Sequence, residues 1–315
     1  VGSDRVKEEL TLEEWFNVIE QIPRYAFITL VGGEPLIRKD FSKILFKAAK
    51  RTFGKVNVVS NGTLINDDLI NDFIKSKMLL LSVSLDGWGK THDRIRAKEG
   101  IFEKIKENLD NLNEKRKASK SKLMVDIKTI VLKDNLEDLL KLYEYCTVSG
   151  FEFFSVSFLR NNNLKQNSKL YDDFDEIFYV PNYDIEKYFD LEKFEEVYLE
   201  IQKIKKHSKT KIRFSPKFED SDYKVELSTI KNFFNNKKGL PPKEIYEPCL
   251  YPYSNTIINP MGDIYPCLSV KMGNIKEQKL IDIINNPKYR CFRKNLKHSK
   301  AFSSCQMCCE LKVKK

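Results

Sequence analysis

Two hydrophobic periods take turns along this chain. The first helical stretch is Leu10 to Ile22, where Trp15, Val18, Ile19 and Ile22 fall on one face, Thr11 can cap, Glu13 and Glu14 suit the first turn, and Pro23 ends the element. A short apolar run, Ala26-Phe27-Ile28-Thr29-Leu30, then reads as a buried strand. The same unit recurs. Helices are predicted at about 41–51, 67–76, 101–116 and 136–148, and strands at 56–59, 79–85, 124–132 and 151–158. Strand followed by helix at this spacing predicts parallel strands with right-handed crossovers, an α/β fold of the barrel type.

Polar residues and glycines collect just after the strands: Gly32-Gly33-Glu34-Pro35, Ser60 to Thr63, Ser84 to Gly87, Asp134-Asn135, and Arg160 to Asn163. A parallel barrel puts such ends on one face, where these folds bind and react. Adjacent glycines let the backbone turn sharply and approach a ligand, and Glu34 offers a carboxylate at a strand end. Taken alone, Gly-Gly-Glu-Pro is equally an ordinary strand-to-helix turn. Five polar strand ends on one face make a site.

Residues 161–247 break the pattern; a helix at 191–206 and a strand at 211–214 are predicted there, and Gly239-Leu240-Pro241-Pro242 reads as a linker. From Cys249 onward the chain changes again. Asn255 to Ile258 and Asp263 to Tyr265 read as strands joined by the turn Asn259-Pro260-Met261-Gly262. Met272-Gly273-Asn274 reads as a further turn, with helices at 277–285 and 288–296. Cys249 and Cys267 bracket the hairpin, and Cys305-x-x-Cys308 follows with Cys309 adjacent. Four thiolates in two separated pairs suit either one tetrahedral zinc or one iron–sulfur cluster. Cys146 and Cys291 read as core residues, and Cys309 as a spare.

Composition narrows the class. The 315 residues can hold one large α/β domain with an appendage, and 41% are hydrophobic. The seven cysteines are odd in number and six lie after position 248, which argues against a secreted disulfide framework and for metal ligation in a reducing, cytoplasmic setting. No apolar run has transmembrane length and no signal peptide is evident. The net charge of +10 comes from scattered Lys rather than Arg clusters, which disfavours nucleic acid as a partner.

With both ends in view, the chain resembles a radical S-adenosylmethionine (SAM) enzyme whose barrel is followed by a C-terminal auxiliary iron–sulfur domain of the SPASM or shorter Twitch type. Gly32-Gly33-Glu34-Pro35 matches the motif that binds the amino group of SAM; carbonyls and Glu34 supply acceptors and negative charge. Ser60 and Asn61 match polar strand-end residues that contact the ribose or carboxylate. Ser84 and Asp86 match the third such motif, and Val131 and Leu132 fall where apolar contact with adenine is expected. Cys249, twelve residues, Gly262, four residues and Cys267 form the signature that opens the auxiliary domain. The resemblance implies Cys249, Cys267, Cys305 and Cys308 as ligands of one auxiliary cluster. The defining Cys-x-x-x-Cys-x-x-Cys is absent from the sequence. The expectation is that the first strand and its cluster loop precede Val1; the alternative is a family member without the catalytic cluster.

The resemblance implies a partial (β/α)6 TIM-like barrel lacking its first strand, over 1–160. Residues 161–247 would complete the barrel and shape the substrate pocket, and 248–315 would form a small cysteine-rich α+β domain. It implies SAM and a 4Fe–4S cluster as cofactors, an auxiliary Fe–S cluster as electron acceptor, and an electron donor such as flavodoxin or ferredoxin. The expected reaction is oxidation or crosslinking of a substrate, a peptide first and a small molecule second. From another class, a non-catalytic binding protein stapled by zinc is the rival.

Overall fold

The computed structural model describes residues 9–158, 189–215, 247–267 and 270–300. The chain forms two compact units. One comprises Leu12–Ser157 and Asp190–Arg213; the other comprises Val1–Thr11, Phe158–Phe189 and Phe214–Lys315.

In the first unit, β1 (Ile28–Leu30), β2 (Val56–Ser60), β3 (Leu80–Ser84), β4 (Met124–Val131), β5 (Phe153–Phe158) and β6 (Lys211–Ser215) form one six-stranded sheet in sequential order. The pairs β1–β2, β2–β3 and β3–β4 are parallel, with Leu30 opposite Val58, Ser60 opposite Val83, and Ser84 opposite Lys128. Strictly sequential order is the winding of a parallel barrel; a doubly wound sheet would reverse it. Seven helices accompany the strands: α1 (Leu12–Gln21), α2 (Phe41–Thr52), α3 (Asp67–Ser76), α4 (Lys90–Ile95), α5 (Ile101–Ala118), α6 (Asp138–Ser149) and α7 (Leu191–Lys205).

Local chemistry sets the boundaries. Asn66 accepts the Leu69 N–H at 3.0 Å and opens α3; Asp190 accepts the Lys193 N–H at 3.1 Å and opens α7. Gly150, in the left-handed region, closes α6. The apolar stripe of each helix, such as Leu45 and Ala48, Ile70 and Phe73, or Leu109 and Leu112, is fully buried. Where β4 meets β5, Arg116 is 5% exposed and binds Asn113 Oδ1, the carbonyls of Leu123 and Gly150, and both Glu152 oxygens. Glu152 accepts the Val125 N–H in return.

Along β2 to β5, apolar and polar positions alternate. On β2 to β5 the residues Val56, Val58, Leu81, Val83, Val125, Ile127, Phe154 and Val156 are buried, and polar Asn57, Ser82, Asp126 and Ser155 alternate with them. Parallel strands packed dry on both faces are near-continuous hydrophobic runs; strict alternation means that one face is helix-covered and the other polar. Ser82 Oγ lies 3.2 Å from Asn57 Oδ1 and 3.3 Å from Asp126 Oδ2, and Ser155 Oγ donates to Asp126 Oδ1 at 2.7 Å, so these side chains share one face of four strands. The expected buried strand at 26–30 is only partly buried. β1 is three residues long, only Ile28 is buried, and Phe27 and Val31 beside it are 50% and 61% exposed. The short α4, between Gly89 and Gly100, was not expected, because six residues carry too little periodicity.

In the second unit, β7 (Ile257–Ile258), β8 (Asp263–Tyr265) and β9 (Gly273–Asn274) form an antiparallel sheet, beside α8 (Tyr251–Ser254), α9 (Leu280–Ile284) and α10 (Pro287–Ser299). The expected turn at Met272–Asn274 is therefore the third strand: Asn274 pairs with Asp263, and its amide reaches Asp263 Oδ1 at 2.8 Å. Asn259 Oδ1 accepts the N–H groups of Met261 and Asp263 at 3.0 and 2.8 Å and shapes the hairpin turn. The Leu10 N–H donates to the Pro260 carbonyl at 2.7 Å, and Leu10 is 1% exposed. Cys291 is exposed, correcting its reading as a core residue; the buried stripe of α10 is Tyr289, Phe292 and Leu296. Cys146 is buried, and burial pushes its thiol pKa well up, leaving it inert.

Candidate functional site

The carboxyl ends of β1, β2, β3 and β4 form a continuous rim. After β1, neither Gly32 nor Gly33 has positive φ, and a Cβ built on either meets nothing within 4 Å. The glycines are thus not required by the turn. They leave open backbone, a cradle that side chains would fill.

Glu34 stands beside this cradle, and the structure defines its role more closely than the motif did. Its Oε1 accepts the Leu36 N–H at 3.1 Å and the Ser60 hydroxyl at 2.9 Å; its Oε2 accepts the Asn61 N–H at 2.7 Å. A carboxylate offers about four lone-pair sites, so three protein donors fix the group and one site stays open for a cation such as an ammonium. Ser60 is 2% exposed, donates to Glu34 and accepts the Gly62 N–H at 2.9 Å. It positions Glu34 rather than presenting a hydroxyl to a ligand. Asn61 Oδ1 is engaged by the Thr63 N–H and hydroxyl at 2.9 and 2.7 Å, which turns the amide NH2 outward as a two-proton donor.

At the end of β3, Ser84 is half-buried and pairs in register with Lys128. Asp86 differs from the expected ligand contact. Its Oδ1 accepts the Ile130 N–H at 2.9 Å, its Oδ2 pairs with Arg96, and its carbonyl accepts from Asn135 Nδ2 at 2.7 Å. At 3% exposure it ties the ends of β3 and β4 together. Asn135 completes the tie by bonding the Ile130 carbonyl and the Leu132 N–H at 2.7 and 2.8 Å. Val131 is 1% exposed and has no surface to offer adenine; Ile130, at 39%, and half-buried Leu132 carry the apolar surface at this rim.

His92 buttresses the rim from beneath. Its Nδ1 accepts the Asp86 N–H at 3.0 Å, which fixes the neutral tautomer with the proton on Nε2, and Nε2 is buried without a partner among the described residues. Burial lowers its pKa from the ordinary 6.5, outweighing the pull of Asp86. The folded state therefore resists protonation where the unfolded chain accepts it. Stability conferred by neutral His92 is complete above about pH 6.5 and declines as pH falls from there through the lowered folded value. Urea unfolding from pH 7.5 to 5 is expected to show this loss in the native protein and a flatter profile in His92→Asn, whose amide oxygen still accepts from Asp86; equal pH slopes would refute it.

In the second unit, Cys249 and Cys267 are both half-buried, and the Cys249 N–H donates to the Lys300 carbonyl at 3.2 Å. That bond places Lys300 beside Cys249. Cys305 and Cys308 lie outside the described residues, as does Arg160 to Asn163. Among the described residues no three His, Cys, Asp or Glu gather as a metal site. None of the helices among them is long and apolar enough to cross a membrane.

Residues 2–146 match the radical SAM superfamily, and residues 249–309 match an iron–sulfur cluster-binding domain. The sporulation killing factor maturation protein SkfB of Bacillus subtilis is 28% identical over 145 residues, 45% of this chain and 34% of that protein. The AdoMet-dependent heme synthase of Methanosarcina barkeri is 25% identical over 318 residues, 95% of this chain and 80% of that protein. Streptococcus suis SuiB, solved with S-adenosylmethionine, shares the fold with a TM-score of 0.60 at 17% identity, covering 89% of this chain and 60% of that one. The chain thus spans a third of the length of SkfB and three-fifths of that of SuiB.

Proposed function

We propose that this chain, a radical SAM protein with a C-terminal iron–sulfur cluster-binding domain, serves an enzyme that oxidises or crosslinks a peptide. The observation that carries the cofactor half of this reading is the open cradle at Gly32 and Gly33 beside a Glu34 carboxylate with one free acceptor site. The two families imply SAM, a 4Fe–4S cluster and auxiliary Fe–S ligation. The rim residues fit SAM: Glu34 would accept from its ammonium, the Asn61 amide would donate to its carboxylate or ribose, Ser84 would reach the ribose, and Ile130 with Leu132 would cover the adenine. SAM supplies, when bound, the hydrogen-abstracting radical. Cys249 and Cys267, with Cys305 and Cys308, fit a four-thiolate auxiliary site suited to accepting an electron. No residues of this sequence form the Cys-x-x-x-Cys-x-x-Cys that would hold the SAM-cleaving cluster.

Support for a peptide substrate comes from the maturation role in the name of SkfB and from SuiB, which was also solved bound to its precursor peptide SuiA. Incubating the complete gene product with SAM, dithionite and peptides encoded beside it is expected to yield 5′-deoxyadenosine and a peptide about 2 Da lighter, two hydrogens having been lost. Anaerobic reconstitution of the present chain is expected to load about four irons and four sulfides at the auxiliary site, and neither in Cys249→Ser or Cys267→Ser. One zinc per chain with no iron would overturn the auxiliary-cluster assignment.

A further inference from the structure

The polar face of the sheet carries one acid and a surplus of cations. Asp126 is the single acidic residue in the six strands, and it is 2% exposed. Two hydroxyls hold it, Ser155 at 2.7 Å and Ser82 at 3.3 Å. Arg213 reaches it from β6, two strands away, with Nη2 3.4 Å from Oδ2. The Arg213 guanidinium carbon lies 3.6 Å from the centre of the Phe153 ring, while its side chain is 44% exposed. One flat face of the fork is thus held by an aromatic ring and one nitrogen by a fixed carboxylate. Among the described residues the guanidinium has no polar partner besides Asp126, and a planar fork held in this way suits bidentate recognition of a carboxylate. The ammonium of Lys128, two residues after Asp126 and on the same face, has no ion-pair or hydrogen-bond partner among the described residues. Arg213 balances Asp126, and Lys128 leaves the face positive.

A barrel interior built for stability is filled with branched apolar side chains, and a dry ion pair there is a weak stabiliser. An acid pinned by two hydroxyls, which in turn orients a half-exposed guanidinium, is arranged for positioning. Building on the peptide reading above, we propose that Arg213, with Lys128 beside it, anchors a carboxylate of the substrate, so that the substrate is an acidic peptide. Asp126 is the positioning residue that aims Arg213. The spacing fits a peptide: Asp126 precedes the rim residue Ile130 by four positions, about 13 Å along the strand, the reach of four extended residues.

The test uses three acetylated pentapeptides of otherwise identical alanine sequence: central Glu with an amidated C-terminus, central Gln with an amidated C-terminus, and central Gln with a free C-terminal carboxylate. Binding to the full chain is read by saturation-transfer NMR, and SAM affinity by calorimetry on the same samples. At least one of the two acid-bearing peptides is expected to bind about fivefold or more tighter than the neutral one, and which of them does so identifies a side-chain or a terminal carboxylate. Arg213→Lys, which keeps the charge and loses the fork, is expected to shrink the preference. Asp126→Asn with Arg213→Met, which removes both charges of the pair together and so avoids an orphaned carboxylate, is expected to abolish it with SAM affinity unchanged. Equal binding of all three peptides, or a preference that survives the double substitution, overturns the proposal. So does a loss of SAM affinity with the peptide preference intact, because Arg213 would then serve the cofactor. Failure of SAM to bind the native chain would instead strike the radical SAM reading and leave the peptide result to be judged by itself.

Discussion

Replacing Glu34 with Ala is expected to lower SAM affinity by about 10- to 100-fold, the loss of one charge-assisted hydrogen bond to an ammonium. The substitution also strands three donors. The Leu36 N–H, the Ser60 hydroxyl and the Asn61 N–H all converge on Glu34, so its removal loosens the loops after β1 and β2 together. Glu34→Gln separates the two effects. An amide keeps the volume but turns an NH2 toward at least one of those donors, so it is expected to lose stability as well as affinity. Calorimetric titration of SAM into native protein, Glu34→Ala and Glu34→Gln checks this, with thermal unfolding alongside. Affinity within twofold of native in Glu34→Ala would remove Glu34 from the cofactor site.

Replacing Gly262 with Ala is expected to destabilise the C-terminal unit by about 2–4 kcal/mol, combining a left-handed backbone penalty with overpacking. Gly262 has φ +89°, and a Cβ there would lie 2.9 Å from Ile275 Cγ2 and 3.0 Å from Asn274 Oδ1. Neither neighbour can yield easily: Asn274 is held by Asp263 and the Met261 carbonyl, and the Ile275 N–H donates to the carbonyl of Gly262 itself at 2.8 Å. Because Cys249 and Cys267 flank this hairpin, iron loading is expected to fall with stability. Chemical denaturation and iron analysis of Gly262→Ala check both; native stability with full loading would show the glycine to be dispensable.

The strand-end motifs were legible in the sequence because they are local. Gly-Gly-Glu-Pro needs no knowledge of the sheet to be recognised as open backbone beside a carboxylate, and the Cys249–Gly262–Cys267 spacing is likewise read along the chain. What Ser60 and Asp86 do was not legible, because their partners stand far off in sequence, Glu34 in the loop after β1 and Ile130 on β4. Both were read as ligand contacts, and the bonds they make within the protein tie strand ends together. The largest omission was the polar face. Val56-Asn57-Val58, Leu81-Ser82-Val83, Val125-Asp126-Ile127 and Phe154-Ser155-Val156 each alternate with period two, four times over. That signal was present in the sequence, but a polar face was not read from it. Arg213 was beyond reach, since only the fold brings β6 to Asp126.

The hydrogen bond from Leu10 to Pro260 bears on how this protein comes into being. Leu10 also lies where a Cβ on Gly262 would touch it, at 3.2 Å, so the early residue is packed into the late hairpin. A unit that draws on residues near 10 and near 260 closes one of the longest loops the chain allows, and contacts of that separation form late. On the ribosome, the sheet from β1 to β5 has all its residues before the hairpin is made. Cys249 and Cys267 follow that sheet in the chain, so the auxiliary site's thiolates are made after the strands of the scaffold.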